Sequence, residues 1–460
     1  MVRLMAMVLV VASFGGFALG WLVYSSTSEA PAYSVPNISR PPNDIRRDRH
    51  RFPLSTADVK LDRETPAVAA DDQDRVLIAW ASQTGEYERT IWLARSGDGG
   101  VNFEKPFPWR KVATYEYASR MGGKETVRST NVVPRLAAHG DCLYLAWTEA
   151  VAGGPLVRYY VTATSDGGAT FSEPVAASAD EADRPAFTAL RAGADGVVAC
   201  TWLDHRNQVQ QPFCGLCRPL GNAQGALEQL AYSGPPDGGV CPCCDTDVLR
   251  ALDGSTFVAF RNNDEDYRDI CVTRNRGESP GGFEPPVAVS AERWRFKGCP
   301  HDGPSLALSD GKLHVVWMDA HTDKRRIYHA TSDVEALNFV SHEIQPQSPG
   351  EQGHPKIAAA NGMLIAVWDA SPSDEPVPER SSNEGHSHSK LSGSGRVVML
   401  ARCADDGHDF GPSEALDPRP GAFQMNPALA VGPKGTAYVV WNEITESGKS
   451  VGFARVPMPQ

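Results

Sequence analysis

Paired short apolar runs separated by polar turns recur along this chain, and they predict β-hairpins. In the clearest pair, Ser305 to Leu308 leads into a polar turn, Ser309 to Lys312, and a second run, Leu313 to Asp319, follows. Both runs have strand length, and the Asp310-Gly311 turn suits a tight hairpin. The same pattern starts at Pro66, Pro134, Pro185, Pro355 and Pro427, while Cys244 to Phe260 supplies the fourth copy without the proline. The second runs end in Trp80, Trp147, Trp202, Phe260, Trp317, Trp368 and Trp441, which lie 51 to 73 residues apart. That spacing suits a four-stranded sheet plus loops, a unit that cannot bury its faces alone and must stack around an axis. The pattern therefore predicts an all-β, seven-bladed β-propeller of four-stranded antiparallel blades.

A third apolar run follows most of the aromatics, and after it comes a Gly/Asp signal ending in Phe. Three copies are clear, Ser96 to Phe103, Thr164 to Phe171 and Cys403 to Phe410; two worn copies lie near Thr273 to Phe283 and Thr331 to Phe339. In each, the Asp can bond amides of its own turn, the second Gly can adopt positive φ, and the aromatic plugs back between strands. On these motifs the chain resembles the Asp-box (BNR) repeat proteins of the sialidase superfamily over about residues 55 to 457. The resemblance implies blades running a, b, c, d outward from the axis, with Asp boxes on the face opposite the active site. It also implies an Arg cluster, an Asp acid/base and a Tyr–Glu nucleophile pair, as sialidases need. The family's Arg-Ile-Pro signature is missing, and Glu64-Thr65-Pro66 stands in its place.

The seventh aromatic is followed by a third run only, Ser450 to Val456. Its missing outer strand is expected from Ser55 to Leu61, which would close the ring by pairing the two ends and remove exposed edges. The expected organisation is a signal peptide or N-terminal membrane anchor over 1–30, a Pro/Arg-rich linker over 31–54, and the propeller over 55–460. Leu4 to Tyr24 carries no charge and follows Arg3, so the chain is expected to be exported, either anchored or secreted. A low-complexity stretch, Ser371 to Gly395, interrupts the sixth copy and contains His386 and His388.

Composition narrows the partners. A hydrophobic content of 41% allows a large core, and 42 Gly with 35 Pro disfavour a helical protein. The net charge of -12 argues against a nucleic-acid partner, since phosphate binding needs a positive surface. A glycan or other polar small molecule is the expected ligand, with an envelope protein as an alternative partner.

In a propeller, residues after each aromatic and before each first strand converge on one mouth. After the aromatics stand Glu149, Asp204, His205, Arg206, Arg261, Glu265, Asp319, His321, Asp369 and Glu443; before the first strands stand Arg184, Cys241, Cys243, Cys244, Asp245, Cys299, His301, Asp302, His354 and Asn426. From these, Asp204 is the candidate proton donor, and Tyr267 with Glu265 the candidate nucleophile pair. Arg206, Arg261, Arg268, Asp319 and His321 are candidate substrate-binding residues. The opposing reading makes each acid a strand-end acceptor for neighbouring backbone.

Ten cysteines are unevenly spread, and Cys241-Pro242-Cys243-Cys244 faces Cys299-Pro300-His301 across adjacent blades. An exported chain suggests disulfides, with Cys299 bridging one of the triplet. The alternative is a soft-metal site for copper or zinc built from Cys241, Cys243, Cys244, Cys299 and His301 or His354. The sialidase-like reading by itself requires no cofactor. Three functions follow: a sialidase-like glycan-binding or glycan-cleaving protein, a non-catalytic envelope interaction protein, and a metal or redox protein.

Overall fold

The structure, a computed structural model, describes residues 48–54, 65–121, 124–151, 156–221, 224–235, 239–277, 282–371, 395–404 and 407–457. Seven four-stranded antiparallel sheets form a β-propeller, and a two-stranded hairpin, Glu116–Met121 with Lys124–Ser129, projects between blades 1 and 2. Within each blade we label the strands a to d. The seven a strands are Ala67–Ala70, Arg135–His139, Ala186–Ala192, Asp247–Arg250, Ser305–Ser309, Gln352–Ala360 and Phe423–Val431. Each sits at one edge of its sheet, and successive a strands lie side by side around the axis.

The seven aromatics that end the second runs all lie on b strands and are all buried. They sit between sheets, where one large ring removes more water-exposed area than any aliphatic side chain. Trp202, for example, packs with Tyr159 of the preceding blade and with Phe213 of its own.

The ring closes between the two ends of the described chain, as expected, but through a different segment. Arg49–Pro53 pairs antiparallel with Gly448–Val456 in the register Arg49↔Ala454 to Pro53↔Ser450, forming strand d of blade 7. Residues 55–64 lie outside the described residues, so Ser55 to Leu61 is not the strand seen there, and the expected linker ends in a strand. The reason is alternation. Phe52 packs onto Trp80 and Phe103 of blade 1, while Arg49 and Arg51 face the opposite side, both pairing with the buried Asp417 and Arg51 also reaching the buried Glu443. The expected anchor, Leu4 to Tyr24, and the insertion with His386 and His388 also lie outside the described residues. Among the described residues no helix is long and apolar enough to cross a membrane.

Of the three clear Gly/Asp turns, the two that start at Ser96 and Thr164 are fully described. Asp98 accepts from the Asn102 amide at 2.9 Å, and Asp166 accepts from the Thr170 and Ala169 amides, both at 2.9 Å. These bonds hold Asp98 down to a pKa of about 2, with the Asn102 amide contributing most. The Gly99 amide donates to Asp74 in the a–b turn, which puts the box on the face away from the start of the a strands. Gly100 has φ 80° and lies against Phe453 of blade 7, so the box also locks neighbouring blades together.

Candidate functional site

The starts of the a strands surround an axial cavity of about 80 Å³. Its lining includes Arg135, Asp245, His301, Asp302, His354 and Asn426, and Cys243 opens onto it. The backbone here is unusual. His301, His354 and Asn426 adopt φ of 57°, 52° and 54°, and Arg184 and Phe187 do likewise at the start of blade 3. Non-glycine residues reach this region at a cost, and such outliers gather where structure forces a side chain into a set direction. Register breaks between Gly353 and Lys356 and between Met425 and Ala428 show the same departure from regular pairing.

Carboxylates from the preceding blade hold these irregular amides. Asp302 Oδ2 accepts from the His354 amide at 2.6 Å, and Asp369 Oδ2 accepts from the Asn426 amide at 2.9 Å. Asp369 also bonds His354 Nδ1 at 2.7 Å and pairs with Arg396. Burial would raise its pKa, but Arg396 and His354 outweigh burial and hold it at about 2. Conversely, burial would lower the His354 pKa, and the Asp369 and Asp302 carboxylates raise it instead. The other Asp302 oxygen, Oδ1, is buried without a hydrogen-bond partner at the cavity wall. Arg135 crosses the wall to Asp245 at 3.0 Å and to Thr65 at 3.0 Å.

Beside this cavity lies the cysteine cluster. Cys241, Cys243 and Cys244 are buried, with Cys241 Sγ 3.7 Å from Cys243 Sγ and 3.4 Å from Cys244 Sγ. The loop is pinned by the Cys241 amide, which donates to the Arg261 carbonyl at 3.0 Å. Cys299 and His301 arrive from the start of blade 5. Two triads result, Cys241/Cys243/Cys244 and Cys243/Cys299/His301, each with its sulfur or ring-nitrogen atoms within 4.8 Å of one another. The expected meeting of the two loops is therefore present, with Cys243 as the residue that faces Cys299. None of the ten cysteines is in a disulfide in the structure. The Cys241 thiol is held well below the usual thiol range, because it accepts hydrogen bonds from Cys243 and Cys244 and sits near the Arg261 and Arg268 cations. Burial pushes the Cys244 thiol up.

The residues proposed for glycan chemistry stand elsewhere. None of Asp204, Glu265, Tyr267, Arg206, Arg261, Arg268, Asp319 and His321 is among those lining the cavity. Asp204 is buried and accepts from Trp202 Nε1 at 3.1 Å, the Arg206 amide at 2.9 Å and Arg206 Nη2 at 2.7 Å. Arg206 also pairs with Glu228 and stacks on Phe213. Arg261 is 1% exposed and donates to the carbonyls of Asp302, Arg268 and Met318. Arg268 donates to the Phe296 carbonyl. Asp319 accepts from the His321 amide and ring. Tyr267 lies under the Arg293 guanidinium at 3.8 Å, and Glu265 occupies a turn at φ 51°. Trp147 likewise donates to Glu149 at 2.9 Å, so the acid two residues after the aromatic serves as a strand-end acceptor in two blades.

Arg135 and Lys356 were not among the expected mouth residues, although both line the cavity. A signal was present, because each directly follows the proline that leads its hairpin, Pro134 or Pro355.

No family model matches the chain, and no curated protein matches it. Solved structures similar to it include the GH93 α-L-arabinofuranosidase of Fusarium graminearum in complex with arabinobiose, at 12% identity and TM-score 0.45, covering 88% of this chain and 97% of that one. The K499G mutant of NanB sialidase from Streptococcus pneumoniae is similar at 9% identity and TM-score 0.44, covering 88% and 70%. The β-propeller domain of the Trilobed protease from Pyrococcus furiosus is similar at 8% identity and TM-score 0.45, covering 86% and 96%. The architecture assigned to this chain rests on its own sheet topology: seven four-stranded blades closed by an N-terminal strand make it a β-propeller.

Proposed function

We propose that this propeller binds a soft metal ion, copper or zinc, at the Cys/His centre beside its axial mouth. The observation that supports the reading is the pair of triads, Cys241/Cys243/Cys244, which is buried, and Cys243/Cys299/His301, in which Cys299 and His301 are half-buried. Thiolate with imidazole is the donor set these metals select, and three sulfurs each ~2.3 Å from one ion lie roughly 4 Å apart. The Sγ separations of 3.7 and 3.4 Å in the first triad are near that spacing before any adjustment. Arg261 and Arg268 add positive charge that favours thiolate there. The test is elemental analysis of protein purified under reducing conditions without chelator. Stoichiometric copper or zinc that disappears in Cys243→Ser supports the reading, and metal-free wild-type protein that also takes up neither ion rejects it.

A second reading concerns the cavity itself, as a site for a small hydroxylated ligand such as a sugar. Its support is the buried Asp302 Oδ1, an acceptor lacking a donor, at a wall that also carries Arg135, Lys356 and Asn426. Equilibrium binding of mono- and disaccharides to wild type and Asp302→Ala tests it; absence of saturable binding to wild type ends it. Both readings suit an exported protein, the expectation raised by Leu4 to Tyr24, which cell fractionation checks directly.

A further inference from the structure

Cys243 is the one residue common to both triads. A single zinc ion in a closed site draws four donors into one shell, whereas these five donors divide into two sets of three around a shared sulfur. A thiolate sulfur keeps lone pairs after binding one ion and can bind a second. Copper(I) is a soft d¹⁰ ion with no ligand-field geometry to satisfy, and three sulfur or nitrogen donors complete its shell.

Resting on the soft-metal reading, we infer that the centre holds a pair of copper(I) ions bridged by the Cys243 sulfur, one on Cys241 and Cys244, the other on Cys299 and His301. In forming it, each thiol that still carries a proton gives it to solvent as its sulfur–copper bond forms, and no electron changes hands, since the metal enters already reduced. Charge favours this ion over a divalent one. Four thiolates and two monovalent ions leave a net charge of about −2, and buried charge must be matched nearby. Arg261 and Arg268 supply that match: both are buried, the Arg261 carbonyl accepts from the Cys241 amide at 3.0 Å, and the Arg261 guanidinium donates to the Arg268 carbonyl at 2.6 Å. Two divalent ions would neutralise the thiolates and leave Arg261 without that counter-charge, whereas Arg268 also has Asp266 at 3.9 Å. The arrangement also accounts for the second triad having a histidine. The His301 ring lines the axial cavity together with Cys243, so one ion of the pair would sit at the cavity wall and the other behind it.

The experiment is an anaerobic titration of the reduced full chain with copper(I) against a chromophoric copper(I) chelator. Wild type should withdraw about two copper(I) ions per chain. Cys244→Ser should retain the ion on Cys299 and His301, and His301→Ala the ion on Cys241 and Cys244, so each loses about half the capacity. Cys243→Ser should lose most of both, with circular dichroism and melting temperature confirming that each variant folds. One ion in wild type, or loss of all copper in Cys244→Ser or His301→Ala with the fold retained, overturns the bridged pair while leaving the soft-metal reading intact. No copper bound by folded wild type overturns both.

Discussion

Replacing Phe52 by Ala probes ring closure at a position where the structure sets the magnitude. Phe52 is 5% exposed, stacks on Trp80 at 5.6 Å and meets Phe103 edge-on at 5.3 Å. Removing a buried phenyl ring from such a site costs about 3–5 kcal/mol, through lost transfer free energy and the cavity left behind. The other contacts of the strand are weaker: Arg51 is a third exposed and its partner Glu443 keeps Arg419 and Gln424, so Arg51→Ala should cost about 1 kcal/mol. Phe52 is therefore the largest side-chain contribution to closure of blade 7, beside His50, which meets Phe103 and Phe453, and the buried Leu54. The readout is hydrogen exchange followed by mass spectrometry over the partner strand. The Arg455 amide, which donates to the Asp48 carbonyl at 3.0 Å, reports directly on the closing strand. If the strand opens as a unit, Phe52→Ala should speed exchange there by roughly two to four orders of magnitude, with smaller changes in blades 3 to 5. Exchange at Arg455 within threefold of wild type would refute the reasoning.

Three further outcomes follow from single contacts. His329 is fully buried on blade 5, facing His314 at 3.1 Å, the His342 ring, His408 and the Phe410 edge. Burial and the neighbouring imidazoles hold its pKa well below the usual 6.5, and His342 is lowered too, with Asp409 opposing weakly. Both take up a proton at lower pH when folded than when unfolded, so stability should fall as pH drops below about 6.5; thermal melts of wild type and His329→Phe across pH 5 to 8 should show a smaller slope in the variant. Gly100→Ala would place a Cβ 2.7 Å from the Phe453 ring at a backbone φ of 80°, and should cost more than about 1 kcal/mol, measured as a lower melting temperature. Asp369→Asn removes the charge facing Arg396 and His354, and should destabilise by about 3–5 kcal/mol, visible as a lower denaturant midpoint.

The blades were readable because one aromatic within each b strand repeats with the sheet, and every one of the seven is buried between blades. The closing strand was not readable, since five residues containing two arginines carry too short an alternation to stand out from a tether. Asp204 and Arg261 illustrate a different limit. A carboxylate after a tryptophan and an arginine at a strand end have the same sequence signature whether they meet a ligand or saturate nearby backbone, and only burial and partners separate the two. The approach of the two cysteine loops was readable from their places in adjacent blades. That Cys243, not Cys244, meets Cys299 depends on the direction of successive side chains in an irregular loop, which no periodicity encodes.

The most direct measurement for the soft-metal centre is X-ray absorption at the metal edge of protein loaded with copper(I) or zinc. The account expects a first shell dominated by sulfur at ~2.3 Å, with nitrogen contributed by His301 and lost in His301→Ala. A shell of oxygen and nitrogen without sulfur, in folded and reduced protein, would contradict it.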